Sequence, residues 1–239
     1  MNLDFAVLTD YILILYLRIM PRPPFIHYPG ALYHITARGN NKQDIFHNEK
    51  DFSRYLSNIK LFKKEVPFYL YAFALMPNHI HLLIEVIDSP ISKIMQKLQT
   101  AYTMFVNKKY QRVGHVFQGR YFHLLVDKES HLLELMRYIH LNPVRAGLVD
   151  NPQNYAWSSH NSYLKLDSKA ENFIDKEKVL PYFSSDPKKA IKNYEEFVLA
   201  GLGTRWEDIS KEIKRDNLLG SDKFVQRVDR GIIKKRNNI

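Results

Sequence analysis

Residues 67–86 read PFYLYAFALMPNHIHLLIEV, and this stretch restricts the chain more than any other. Two runs of aromatic and aliphatic residues are separated only by Pro77 and Asn78, residue types that punctuate tight turns. The pattern predicts two antiparallel strands, 67–76 and 79–86, folded back as a hairpin. On a strand, residues i and i+2 point to the same face. His79 and His81 therefore stand side by side, while Ile80 goes to the other face. Two readings of the pair are open. The imidazoles are either strand histidines with no ligand, or a pair whose ring nitrogens share one divalent metal.

The flanking punctuation extends the hairpin into a fold. ALYHITAR (31–38) alternates as a strand and GNNKQ (39–43) is a flexible polar loop. EKDFSRYLSNIKLFKKE (49–65) places Phe52, Leu56, Ile59 and Phe62 at helical spacing. Residues 89–110 form a second amphipathic stretch, with Ser89 as the expected cap and Pro90 at the first helical position. A fourth strand is expected within 114–127. A third helix is expected over 128–148, broken at or near Pro143. Strand, helix, strand, strand, helix, strand is a split βαβ pair. The fold class expected is α+β: a ferredoxin-like antiparallel sheet with helices on one face, the third helix beside it, and a helical C-terminal extension. Past residue 150 the chain reads as loop, then as short helices over 186–202, 205–216 and 221–238. The organisation expected is a 1–19 extension, a 20–150 core domain and a 151–239 helical extension.

The N-terminal run VLTDYILILYLRI is too short to span a bilayer comfortably, since a crossing helix needs about 20 apolar residues. No Lys or Arg precedes Arg18, unlike the n-region of a signal peptide. MPRPPFIHYPG reads as a natural beginning, so Met20 is the expected start and residues 1–19 an upstream, non-native or disordered addition. The chain of 239 residues has no cysteine, which excludes disulfides, zinc ribbons and thiol nucleophiles and fits a cytoplasmic protein. Lys and Arg number 35 against 25 Asp and Glu, a formal net charge of +10. That excess favours a polyanionic partner, nucleic acid before a membrane surface, with an inert basic surface as the alternative.

In RYIHLNPVRAG, Tyr138 and Asn142 are spaced i, i+4 and share one helix face. Asn142 offers an amide oxygen, a donor that suits Mg²⁺ or Mn²⁺. Tyr138 offers a phenol one turn away. An ordinary helix aromatic and an Asn that stops a helix before proline account for the same letters. If this helix covers the histidine face, however, the result is a metal site with open positions beside a tyrosine hydroxyl. A phenol of pKa about 10 is a weak nucleophile, and a metal that polarises a phosphodiester compensates for that.

At these residues the chain resembles the single-tyrosine HUH transposases, and more closely the REP-associated tyrosine transposases among the IS200-like enzymes. The resemblance runs through PPFIHYPGALYHITARGNNKQDIF (23–46), YAFALMPNHIHLLIE (71–85), GHVFQGRYFHLLV (114–126) and LLELMRYIHLNPVRAGLV (132–149). It implies a ferredoxin-like catalytic core, single-stranded hairpin DNA from REP-like palindromes as substrate, and a divalent metal, Mg²⁺ or Mn²⁺. It also implies nicking and rejoining through a covalent 5′-phosphotyrosine with a free 3′-hydroxyl. His79 and His81 match the HUH pair, and Tyr138 matches the nucleophile. Asn142 matches the third metal ligand, where some relatives carry the longer Gln. Members typically begin near MPRPP, and the REP-associated branch is compatible with a monomer acting in cis, while a homodimer occurs in the wider family.

A hairpin substrate needs its backbone neutralised and its unpaired bases met. The candidates are Arg38, Lys42, Arg120, Tyr121, Arg137 and Arg145. His115, His123, His131 and His140 have no ligand spacing with the HUH pair and read as surface or structural residues. Three rivals to the strand transferase stay open: a non-cutting DNA-binding protein of the same fold regulating repeat elements, a metal-dependent nuclease using water, and an RNA-binding module.

Overall fold

The structure, a computed structural model, describes residues 26–165, 173–202, 211–214 and 217–236. The expected extension over 1–19 and the expected start at Met20 lie outside the described residues.

The apolar strand runs of the sequence become β1 (Leu32–Arg38), β2 (Phe68–Met76), β3 (His79–Val86) and β4 (Phe122–Val126). They belong to a 6-stranded sheet of order β2-β3-β1-β4-β6-β5, where β5 is Ile213–Lys214 and β6 is Leu218–Leu219. β1 lies between β3 and β4 and runs antiparallel to both, the ferredoxin-like order for the first four strands. Met76 pairs with His79, so Pro77 and Asn78 are the whole hairpin connection.

Residues directly opposite in a ladder share a sheet face. Thr36 is opposite His81 and Arg38 opposite His79, so His34, Thr36 and Arg38 line the same face as the two histidines. The other face carries Tyr33, Ile35, Ala37, Ile80, Leu82 and Ile84, none more than 3% exposed. It is closed by α1 (Glu49–Glu65) and α2 (Ile91–Lys109), which meet through Tyr55 and Tyr102. Truncating a buried leucine in this layer, such as Leu82, costs about 2–5 kcal/mol.

Local chemistry sets the helix ends. Asn48 caps α1 and Asp51 completes the capping box, while the same buried Asp51 takes Lys109 at 2.5 Å and Tyr110 at 2.7 Å from the end of α2. α2 starts at Ile91, one residue later than expected: Pro90 is extended at ψ 145°, and no side chain caps the end.

α3 (Lys128–Arg145) covers the histidine face, with Lys128 bonded to Glu85 at 2.5 Å and to the Tyr71 hydroxyl at 3.0 Å. The helix runs through Pro143 itself and ends shortly after it, at Arg145. A proline removes one ladder bond, here that of the Ile139 carbonyl, and the buried Pro143 ring packs instead of ending the helix. The helix closes at Gly147, whose φ of 67° is the left-handed turn that glycine permits.

The segment after residue 150 is not only helical. It runs along the outer edge of β2, where Leu75 donates to Trp157 (2.9 Å), Ser159 to Phe73 (3.0 Å) and Asp175 to Leu70 (3.0 Å). It then forms α4 (His160–Leu164), α5 (Pro187–Ala200) and α6 (Asp222–Arg236). Between α5 and α6, β6 pairs parallel to β4 and antiparallel to β5. Of the helix expected over 205–216, the part 205–210 lies outside the described residues and Ile213–Lys214 is a strand. Strands of two residues carry no periodicity that a sequence reading can detect. The extension thus covers both edges of the four-strand sheet, edges that would otherwise expose unpaired backbone groups.

Candidate active site

The β1–β3 register concentrates imidazoles. His34, His79 and His81 share the face beneath α3, and His34 stacks on His81 with ring centroids 5.3 Å apart and planes at 14°. His34 Nε2 is 3.1 Å from His81 Nδ1, and Thr36 Oγ1 is 3.3 Å from the same atom. His79 Nδ1 donates to Asn78 Oδ1 at 2.6 Å, in the hairpin turn itself. Both strand histidines therefore have Nδ1 in a hydrogen bond; at His79, where Nδ1 donates, this leaves Nε2 to carry the lone pair, and at His81 the same holds when Nδ1 donates to His34. Burial pushes His34 down to about 4 from an ordinary 6.5. Burial and the charge of Arg38 take His79 down to about 4. Burial, then the neighbouring His79 and His34, holds His81 well below the ordinary range. All three are neutral at pH 7, the form that binds metal.

α3 brings Tyr138 onto this face. Its ring meets His81 edge-on at 5.9 Å and His34 at 6.1 Å between centroids, and the residue is 6% exposed. Asn142 lies one turn further along the same helix face, with a buried Nδ2 that has no hydrogen-bond partner. Among the described residues, no set of three histidine or carboxylate side chains gathers as a metal site. The donors suited to a divalent ion here are instead two neutral imidazoles and an amide, which presents oxygen or nitrogen by a simple flip. This mixed nitrogen and oxygen set fits Mn²⁺ or Mg²⁺ and leaves room for other ligands.

The candidate DNA contacts divide into two groups. Arg38 ends β1 beside His79 with a buried Nε that has no hydrogen-bond partner. Lys42 and Arg120 are exposed in the loops joining that end of the sheet. These loops are tied down: Gly39 donates to Asn78 (2.8 Å), Asn40 to Val116 (2.8 Å) and Gln118 to Arg38 (2.8 Å). The loop expected to be flexible is thus fastened to the turn that carries His79. Gly39 is required there, because a Cβ would stand 2.0 Å from the Gln43 carbonyl oxygen. Tyr121 packs half-buried against the core, near His123.

Arg137 and Arg145 turn inward instead. Arg137 pairs with Glu134 and lies over the Phe197 ring at 4.5 Å. Arg145 lies over the Tyr138 ring at 5.1 Å and donates to the carbonyls of Tyr138 and Gly201. His140 is fully buried on the other side of α3, and His131 pairs with Glu212 at 2.9 Å; both serve structure. The sequence reading missed His34. Its signal, a histidine in phase with Thr36 and Arg38 on β1, gains meaning only once the β1–β3 register is known.

Residues 28–142 match the model of a family described as "Transposase IS200 like". A REP-associated tyrosine transposase of Haemophilus influenzae is 25% identical over 156 residues, covering 60% of this chain and 88% of that protein. A solved structure described as a REP-associated tyrosine transposase bound to a REP hairpin aligns with a TM-score of 0.53 at 17% identity. That alignment covers 61% of this chain and 86% of that one and shares the fold. No described helix is long and apolar enough to cross a membrane.

Proposed function

We propose that the protein, whose residues 28–142 match the IS200-like transposase family model, nicks and rejoins single-stranded hairpin DNA through a 5′-phosphotyrosine on Tyr138. The observation that carries this reading is the approach of the Tyr138 ring to His81 and His34 within one chain. His79, His81 and Asn142 would hold the divalent ion. When bound, that ion polarises the scissile phosphate and offsets its developing charge.

The chain's own residues do the rest. Asn78 fixes the tautomer and orientation of His79, and His34 holds the orientation of His81. Tyr138 gives up its phenolic proton to solvent as its oxygen bonds to phosphorus; the bond to the 3′-oxygen breaks, and that oxygen leaves as a hydroxyl after taking a proton from solvent. The phosphodiester's energy is kept in the tyrosine ester, so a second 3′-hydroxyl can reverse the step and join a new strand. Arg38, Lys42 and Arg120 meet the phosphates approaching the His79 end of the sheet.

The substrate class, REP-like palindromes, follows the relatives described above. The contact of Tyr138 with its own chain's His81 supports catalysis in cis by a monomer. Residues 20–150 form the catalytic unit and residues 151–239 its extension, working in the cytoplasm.

The test is incubation of the purified chain with labelled single-stranded hairpin DNA and Mg²⁺ or Mn²⁺, read on a denaturing gel. A metal-dependent protein–DNA band, lost in Tyr138→Phe and in His79→Ala, is the expected result. Cleavage that persists in Tyr138→Phe without a band identifies a nuclease using water. Tight binding without cleavage identifies a non-cutting DNA-binding protein.

A further inference from the structure

Arg145 follows Tyr138 by seven residues, two helical turns on the same face of α3. Its side chain folds back instead of reaching out. One guanidinium nitrogen donates to the Tyr138 carbonyl at 3.2 Å, the other to the Gly201 carbonyl at 3.3 Å, and Cζ stands 5.1 Å from the centre of the Tyr138 ring. The five-donor guanidinium suits this task, since its charge lies over the ring while its N–H groups bridge two carbonyls.

Gly201 is the cap of α5, and its position is not incidental. A Cβ at residue 201 would stand 2.4 Å from Arg137 Cδ, so a larger residue there has to displace the Arg137 side chain that lies between α5 and α3. Arg137 is in turn held over Phe197 of α5 and by Glu134. A second grip lies on the buried side of α3, where His140 bonds Tyr194 of α5 at 2.9 Å and Ser159 at 2.7 Å. The extension therefore holds the Tyr138 helix on both sides of the tyrosine.

We propose that Arg145 is a positioning residue for Tyr138, held in place by the Gly201 carbonyl, and that residues 187–201 thereby set the nucleophile's orientation. The inference rests on Tyr138 being the nucleophile. It reassigns Arg145, which sequence alone marks as a DNA contact.

The experiment uses the full chain and three variants: Arg145→Met, Arg145→Lys and Gly201→Val. Single-turnover adduct formation at saturating hairpin DNA, hairpin affinity by fluorescence anisotropy, and the ¹⁹F spectrum of 3-fluorotyrosine placed at position 138 are read on each. A thermal melt confirms that each variant is folded. The expected result is a rate lowered about 10- to 100-fold in Arg145→Met and Gly201→Val, the scale of a misplaced nucleophile. Hairpin affinity stays within about twofold in both, and both shift or split the fluorotyrosine resonance. Arg145→Lys, which keeps a cation over the ring but loses the fork, falls between wild type and Arg145→Met. A drop in hairpin affinity with the saturated rate and the resonance unchanged makes Arg145 a DNA contact and overturns the proposal. So does a Gly201→Val protein with unaltered rate and resonance. If wild type forms no adduct at all, the nucleophile reading fails, and the fluorotyrosine resonance still decides whether Arg145 and Gly201 hold the ring.

Discussion

One helix, α3, carries two histidine–tyrosine clusters on opposite sides, and they differ in what their polar atoms are free to do. On the sheet side, Tyr138 meets His34 and His81, and His79 and His81 have Nδ1 taken by Asn78 in one case and His34 in the other. On the far side, His140 uses both ring nitrogens, Nε2 with Ser159 and Nδ1 with Tyr194, and Tyr194 also binds His160 at 2.6 Å. Both clusters are buried, and in both the imidazoles are kept neutral by desolvation. Burial and histidine content therefore do not distinguish the candidate active site from a structural cluster. What sets the sheet-side cluster apart is that His79 and His81 both keep Nε2 outside these bonds beside Tyr138, with a cation, Arg38, at its mouth, whereas the far-side cluster has a single unpartnered ring nitrogen, His160 Nε2. Apart from that buried nitrogen, the far-side cluster is a hydrogen-bonded polar network, and it specifies one packing of α5 against α3.

The largest contrast is expected from deleting the two hydroxyls. Tyr138→Phe should abolish the covalent protein–DNA product and leave the thermal midpoint almost unchanged. Tyr194→Phe should leave product formation measurable and lower stability by about 1–3 kcal/mol, since two histidines lose a partner. Equal effects of the two changes on both readouts would erase the distinction. The imidazoles come next. His81→Ala should lose Mn²⁺ binding in calorimetry, whereas His140→Ala should retain it while losing about 2–4 kcal/mol in urea unfolding.

Acidification affects both clusters together. His34, His79, His123 and His160 are held near 4 in the folded chain against an ordinary 6.5. Between those values the unfolded chain binds more protons, so stability rises with pH across the window and falls as pH drops through it. Urea midpoints measured from pH 7 to pH 4 should fall steadily, and less steeply in His34→Gln. The smallest effect is expected at the rim: Lys42→Ala or Arg120→Ala should weaken hairpin binding and reduce the salt slope by about one unit each. No change in the slope would remove that residue from the DNA path.

Much of the sheet-side cluster was legible in the sequence because its spacings are local. HIH on a strand and Tyr138 with Asn142 on a helix share faces by periodicity alone, and PN between two apolar runs announces the hairpin. His34 was not legible, because its meeting with His81 depends on a strand register linking residues 47 apart in the chain. That Arg137 and Arg145 meet Phe197 and Gly201 was not legible, because nothing in their own helix reveals that α5 docks there. β5 and β6 are too short for any pattern. The helix end near Pro143 was legible from local propensity, and burial of the proline ring carries the helix on to Arg145.

The most direct measurement is proteolysis of the protein–hairpin product followed by mass spectrometry of the nucleotide-bearing peptide. The account predicts a nucleotide joined through its 5′-phosphate to Tyr138, formed only when Mg²⁺ or Mn²⁺ is supplied. A nucleotide on another residue, or cleaved DNA with no modified peptide, would contradict it.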